Sequence, residues 1–217
     1  GIAGAVAAYF LAKKFEPEVK NAVVYELNRH LNVPVDVEDI NLSLLQRFPF
    51  ASLRFSHVTI PEVGKENPDT LIYIEDLYLQ IGLFDFLRKN YTVSEADVNH
   101  GFFRMEIMED GRNNYEFWKA KGDSAGANLS LTNIRLTDVT YSLKTNEELF
   151  LEIQVRDGSA NGNFGEETFS LNSEVDLIGR SIRYRDETLY ENLEVSGDVE
   201  LLIDGKSKVY SFQSEDV

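Results

Sequence analysis

Apolar residues recur at every second position through most of this chain, and in several runs the alternation changes parity partway along. Val35 and Val37 share one face, whereas Ile40, Leu42 and Leu44 take the opposite parity. Leu53 and Phe55 give way to Val58 and Ile60 in the same manner, and Ile72 and Ile74 give way to Leu77, Leu79, Ile81 and Leu83. A period of two puts alternate side chains on one face of a strand, so each run reads as a β-strand with one apolar side. A switch of parity inside a strand predicts one extra residue, a bulge that bends it. Three neighbouring runs with a slip near the middle predict one sheet that curves as a unit.

Ahead of the first strand the period is four. Phe15, Val19, Val23, Leu27 and Leu31 form a stripe that Ala22 and Val24 widen, which predicts an amphipathic helix over 15–32. Pro17 suits its first turn, and Asn32 followed by Pro34 ends it. Residues 1–11 carry no charge and lead into Lys13 and Lys14. About 20 apolar residues are needed to cross a bilayer, so 1–14 reads as the tail of a transmembrane helix. A signal-peptide remnant and a buried helix are the alternatives. The chain starts without Met and ends in strand-like alternation at Tyr210 and Phe212, as a fragment of a longer protein would.

Beyond residue 60 a polar loop at 61–70 precedes a strand over 71–83 and a short helix near 84–89. Residues 93–98 and 102–108 read as a strand pair around Asn99, His100 and Gly101. A turn at Asp110-Gly111 leads to a one-turn helix within 113–119 that carries Tyr115, Phe117 and Trp118. The small residues of 119–126 make a linker, dividing a β region over 33–121 from a second over 122–217. In the second, turn signals fall at Thr145-Asn146, Asp157-Gly158, Asn161-Gly162, Asn172-Ser173 and Asp204-Gly205. Strands without crossover helices predict an antiparallel meander. The fold class is mainly β.

The formal charge of -16 argues against nucleic acid as a partner and against broad adhesion to anionic lipid. There are no cysteines, so disulfides and thiolate metal sites are excluded. Gly122-Asp123-Ser124-Ala125-Gly126 matches a G-x-S-x-G pattern, but a nucleophile elbow needs a strand before it and a helix after it. Here a short aromatic helix precedes and a strand follows, so the stretch reads as linker. His30, His57 and His100 lie far apart in sequence without close second ligands. The acidic residues are spread over strands and loops like a solvated face. No nucleophile–base pair, metal set or cofactor motif stands out, and the chain reads as a non-enzyme.

What does stand out is the quantity of one-sided strand set against a single substantial amphipathic helix. The apolar face must curl on itself, meet another chain or meet lipid. A self-filled core and an open groove for acyl chains both satisfy that requirement.

These features together resemble the AsmA/TamB family, whose long relatives include bridge-like lipid-transfer proteins. The resemblance is carried by the apolar start, Phe15-Glu16-Pro17 and the helix, and Leu31-Asn32-Val33-Pro34-Val35-Asp36-Val37. Ile40-Asn41-Leu42-Ser43-Leu44-Leu45, leading to Phe48-Pro49 and Leu53-Arg54-Phe55, carries it further. Ile81-Gly82-Leu83-Phe84-Asp85-Phe86-Leu87, and Asp110-Gly111 with Asn114-Tyr115, fit the later places. The likeness covers about residues 1–119, and less specifically 161–212.

The resemblance implies a β-taco groove on an anchor in the inner membrane, with the body in the periplasm. It also implies phospholipid or another acyl-chain lipid as partner, handled between inner and outer membranes, and envelope proteins as possible further partners. A structural or assembly module with a filled groove is the alternative. The residues expected to line the groove are Leu77, Leu79, Ile81, Phe103, Met105, Ile107, Leu129, Leu131, Leu151 and Ile153, each from an unbroken alternating run. The competing role for each is core beneath the helix.

Overall fold

A computed structural model describes residues 31–43, 50–82, 93–117, 129–145, 148–162, 168–185, 187–204 and 209–215. It also describes Lys14, Pro17, Asn21, Val24, Tyr25 and Asn28. Among these residues the molecule is mainly β. Its strands are β1 (Asp36–Ser43), β2 (Phe50–Pro61), β3 (Thr70–Gly82), β4 (Val93–Glu106), β5 (Leu129–Lys144), β6 (Leu149–Gly162), β7 (Thr168–Tyr184), β8 (Glu187–Asp204) and β9 (Val209–Glu215). They form one sheet in the order of the sequence, with β1 and β9 at its edges.

Every neighbouring pair is antiparallel except β4 and β5, which run parallel. The meander is therefore interrupted once. Parallel neighbours need a connection that carries the chain back along the sheet, and the whole segment 107–128 is available for it. Alternation reads the same for parallel and antiparallel neighbours, which concealed the crossover.

Three expected turns are strand interior. Asn99-His100-Gly101 lies within β4, Asp157-Gly158 within β6 and Asn172-Ser173 within β7. The His100 stretch is a kink instead of a hairpin: His100 has a φ of 53°, and Ile74↔Gly101 and Asp76↔Asn99 keep pairing on either side of it. Asn161-Gly162, by contrast, falls at the end of β6.

The parity slips also have a cause other than separate bulges. Pairings on both sides of the slip set Glu38 beside His57, Glu75, His100, Asp138 and Arg156 in one row from β1 to β6. Pairing keeps the same register across that row from β1 through β6. Each of these strands carries the extra residue at the same depth, so none is bulged relative to its neighbour. Register shifts at that depth only between β6 and β7, at Val155/Asp157. His57 (φ 51°) and Asp138 (φ 52°) join His100 in the left-handed region, which Asp and His tolerate better than most side chains.

The core sits on the apolar face of β1–β4. Ile40, Leu53, Phe55, Val58, Ile81 and Val93 form a buried cluster, and Val24 packs against it. Lys14, Pro17, Asn21, Val24, Tyr25 and Asn28 have helical backbone. The expected helix ends before residue 31, for Leu31 is in a β-bridge and Asn28 Oδ1 accepts the Val35 N–H at 3.1 Å. The apolar run 1–11, the helix near 84–89, His30, and the linker with Ser124 lie outside the described residues. Among the described residues no helix is long and apolar enough to cross a membrane.

The helix expected at 113–119 does not form over 113–117. Its backbone is engaged elsewhere: the Asn114 carbonyl accepts the Val63 N–H at 3.0 Å, and the Phe117 carbonyl accepts the Asn32 N–H at 2.7 Å. Asn113 bridges to Ile107, and its side chain caps the Tyr115 N–H.

Candidate functional site

Because paired residues share a face, the registers trace one apolar surface across the sheet. Val37, Val58, Ile74, Gly101, Val139, Val155, Leu177 and Val195 form one row from β1 to β8. On one side of it lie Ile60, Ile72, Phe103, Tyr141 and Ile153, then Met105, Leu143, Leu151, Ile182 and Tyr190. Beyond the kink lie Ile40, Phe55, Leu77, Val98 and Leu136, then Leu42, Leu53, Leu79, Ala96 and Ile134.

The eight expected groove residues whose side chains are described divide between two environments. Ile81 belongs to the sealed cluster, and Leu77 and Leu79 pack against it. Phe103 meets Phe117 edge-on at 6.4 Å and Tyr141 at 5.9 Å, so part of the 113–117 segment covers it. Met105 Sδ accepts the Tyr141 hydroxyl at 3.0 Å, and burial pushes the Tyr141 pKa up. Leu151 and Ile153 lie half-buried on β6. Ile107 follows β4, where its N–H donates to the Lys144 carbonyl at 2.8 Å. Of Leu129 and Leu131 only the backbone, at the start of β5, is described; Leu129 stands opposite Val93.

Coverage falls off along the sheet. Leu53, Phe55 and Ile81 are each 1% exposed, whereas Leu193 is 45% and Tyr190 58% exposed on β8. Among the described residues no other strand overlies β6–β8, whose apolar side chains on this face are partly buried on β6 and β7 and most exposed on β8.

The opposite face is polar and laddered by charge. Arg54 donates twice to Asp76, at 2.8 and 3.0 Å, and its pKa is raised by that carboxylate. Along the kink row His57 Nδ1 lies 2.8 Å from the Tyr73 hydroxyl, and His100 Nδ1 lies 3.2 Å from Asp138. Asp138 also accepts from Gln154, and these bonds lower its pKa. The two histidines are thus on the exposed face and apart from the apolar one. Among the described residues no group of three or more His, Asp or Glu side chains is placed to hold a metal ion.

Two features escaped sequence reasoning. The first is a knot that ties the loop after β2 to the end of β4. Lys65 donates to Glu62 at 2.8 Å and to Glu106 at 2.6 Å, and Lys144 donates to Glu106 at 3.0 Å. Asn114, 1% exposed, donates to Glu62 at 2.8 Å and accepts the Glu106 N–H at 2.7 Å. Only the three-residue spacing of Glu62 and Lys65 hinted at it. The second is an open cleft of about 870 Å³ at the strand ends of β4–β7, whose lining includes Ile107, Leu149, Phe150, Lys144, Arg183 and Arg185. Those residues converge only through strand register.

The arrangement defines a class: a single extended β-sheet with one continuous apolar face, filled by its own chain at one end and about half exposed on β8 at the other. The chain matches no family model, no curated protein and no solved structure.

Proposed function

We propose that this chain is an AsmA-like segment of a cell-envelope protein, held at the inner membrane by its N-terminal helix and extending into the periplasm. In that role the apolar face of β6–β8 shields phospholipid acyl chains, with transfer toward the outer membrane as the outcome. The observation that carries the reading is the apolar face running onto β8, where Tyr190 and Leu193 remain about half exposed. A soluble domain seldom leaves a contiguous apolar surface bare without a partner for it. Each CH₂ removed from water contributes about 0.8 kcal/mol, so such a surface can hold an acyl chain without any reaction. Mass spectrometry of the detergent-purified, full-length protein should find co-purifying phospholipid. Its absence would sink the proposal.

The sealed cluster of β1–β4 supports a second reading for that end. There the chain's own side chains fill the face, as a structural or assembly module requires. A purified protein free of lipid but bound to an envelope protein through β6–β8 would favour this role for the whole.

A further inference from the structure

The cleft at the strand ends joins the two faces of the sheet. Leu149 pairs with Tyr184, one step beyond the Leu151↔Ile182 pair, and so continues the apolar face into the cleft. Phe150 and Arg183 pair on the other face, and the Arg183 guanidinium lies 4.5 Å over the Phe150 ring. Apolar surface therefore runs directly into a charged pocket, which is the outline of an amphiphile.

The charges of the pocket select further. Glu106 is engaged by Lys65 and Lys144, Asp110 by Arg112 at 2.7 Å, and Glu148 by Arg185 at 3.7 Å. Among the described residues two lining charges remain without an oppositely charged side chain: the cation of Arg183 and the carboxylate of Glu109. One unpaired charge of each sign suits a ligand that carries both.

We propose that this cleft seats the zwitterionic headgroup of a phospholipid, with phosphate toward Arg183 and ammonium toward Glu109, while its acyl chains lie along Leu149 and Leu151. The assignment rests on the lipid-shielding function above, and the test separates the two. Binding to the full chain is measured for short-chain phosphatidylethanolamine, phosphatidylglycerol and diacylglycerol of matched acyl length, and for glycerophosphoethanolamine without chains. Phosphatidylethanolamine should bind most tightly. Arg183→Ala should weaken it about tenfold, the loss of one charged hydrogen-bond partner, and leave diacylglycerol unchanged. Glu109→Lys should move the preference toward phosphatidylglycerol. Both side chains are at the rim, and unchanged thermal unfolding of each variant confirms its fold.

Equal binding of diacylglycerol and phosphatidylethanolamine would overturn the headgroup seat and leave lipid shielding standing. No binding of any chain-bearing probe would remove both. Tight binding of glycerophosphoethanolamine alone would show a site for a free phosphoester and overturn the lipid assignment.

Discussion

β2 and β8 carry the same two-residue alternation, yet their apolar residues meet different fates. Leu53 and Phe55 on β2 are sealed, while Tyr190 and Leu193 on β8 stay about half exposed. The difference lies in what overlies them. Val24 and Val35 pack against the cluster that holds Leu53 and Phe55, and Phe117 lies edge-on to Phe103 on β4. Among the described residues no other strand overlies β6–β8. Alternation therefore decides which face is apolar, and long-range contacts decide whether that face is core or surface.

The contrast should be largest in stability. Phe55→Ala should cost about 3–5 kcal/mol, because a filled site loses contacts and keeps a cavity. Leu193→Ala should cost less than about 1 kcal/mol, since little apolar area is withdrawn from water there. Urea unfolding of the two variants measures both, and equal costs would break the comparison.

Glycines sharpen it at a smaller scale. A Cβ on Gly101 would stand 2.4 Å from the Tyr73 carbonyl oxygen, so Gly101→Ala should destabilise by about 1–3 kcal/mol. At Gly179 a Cβ would meet nothing closer than 3.6 Å, and Gly179→Ala should be neutral or slightly stabilising. Thermal unfolding distinguishes them.

The smallest effect concerns pH and the knot of Glu62, Lys65 and Glu106. Burial alone would raise the Glu62 pKa, but hydrogen bonds from Lys65, Asn114 and the Asp69 N–H outweigh it and leave the carboxyl below its ordinary value. Hydrogen bonds from Lys65 and Lys144 lower Glu106 against the opposing effect of burial. A carboxyl whose pKa is lower folded than unfolded stabilises fully above the unfolded value, and that contribution is lost as pH falls through the folded one. Unfolding midpoints followed from neutral into acid should fall, with a shallower slope in Glu62→Gln. An unchanged slope would remove the knot from the account.

Much of this fold was legible because its strands obey a single period. Within the described residues β1, β2, the loop after β2 and β3 could be read directly from alternation and turn residues. The kink row was legible as parity slips, but its alignment was not. That His57, His100 and Asp138 share one depth depends on register between strands, which no single run encodes. The β4–β5 crossover was hidden for a related reason, since parallel and antiparallel partners leave the same alternation. Asn114 falls in a stretch that reads as a one-turn helix, whereas its side chain is consumed by Glu62 and Glu106 from distant segments. In the candidate site, the apolar identity of Leu77, Ile81, Leu151 and Ile153 was visible in sequence. The division of those four between sealed core and a partly exposed face was not, because coverage comes from segments far away in the chain.

Photocrosslinking from that division tests the central claim most directly. A diazirine side chain placed at Leu151, and separately at Ile81, is irradiated in the full-length protein in its native membrane, and adducts are read by mass spectrometry. Phospholipid adducts are expected at Leu151 and none at Ile81, where the chain's own residues fill the space. Lipid at neither position, or at Ile81 as readily as at Leu151, would contradict the account.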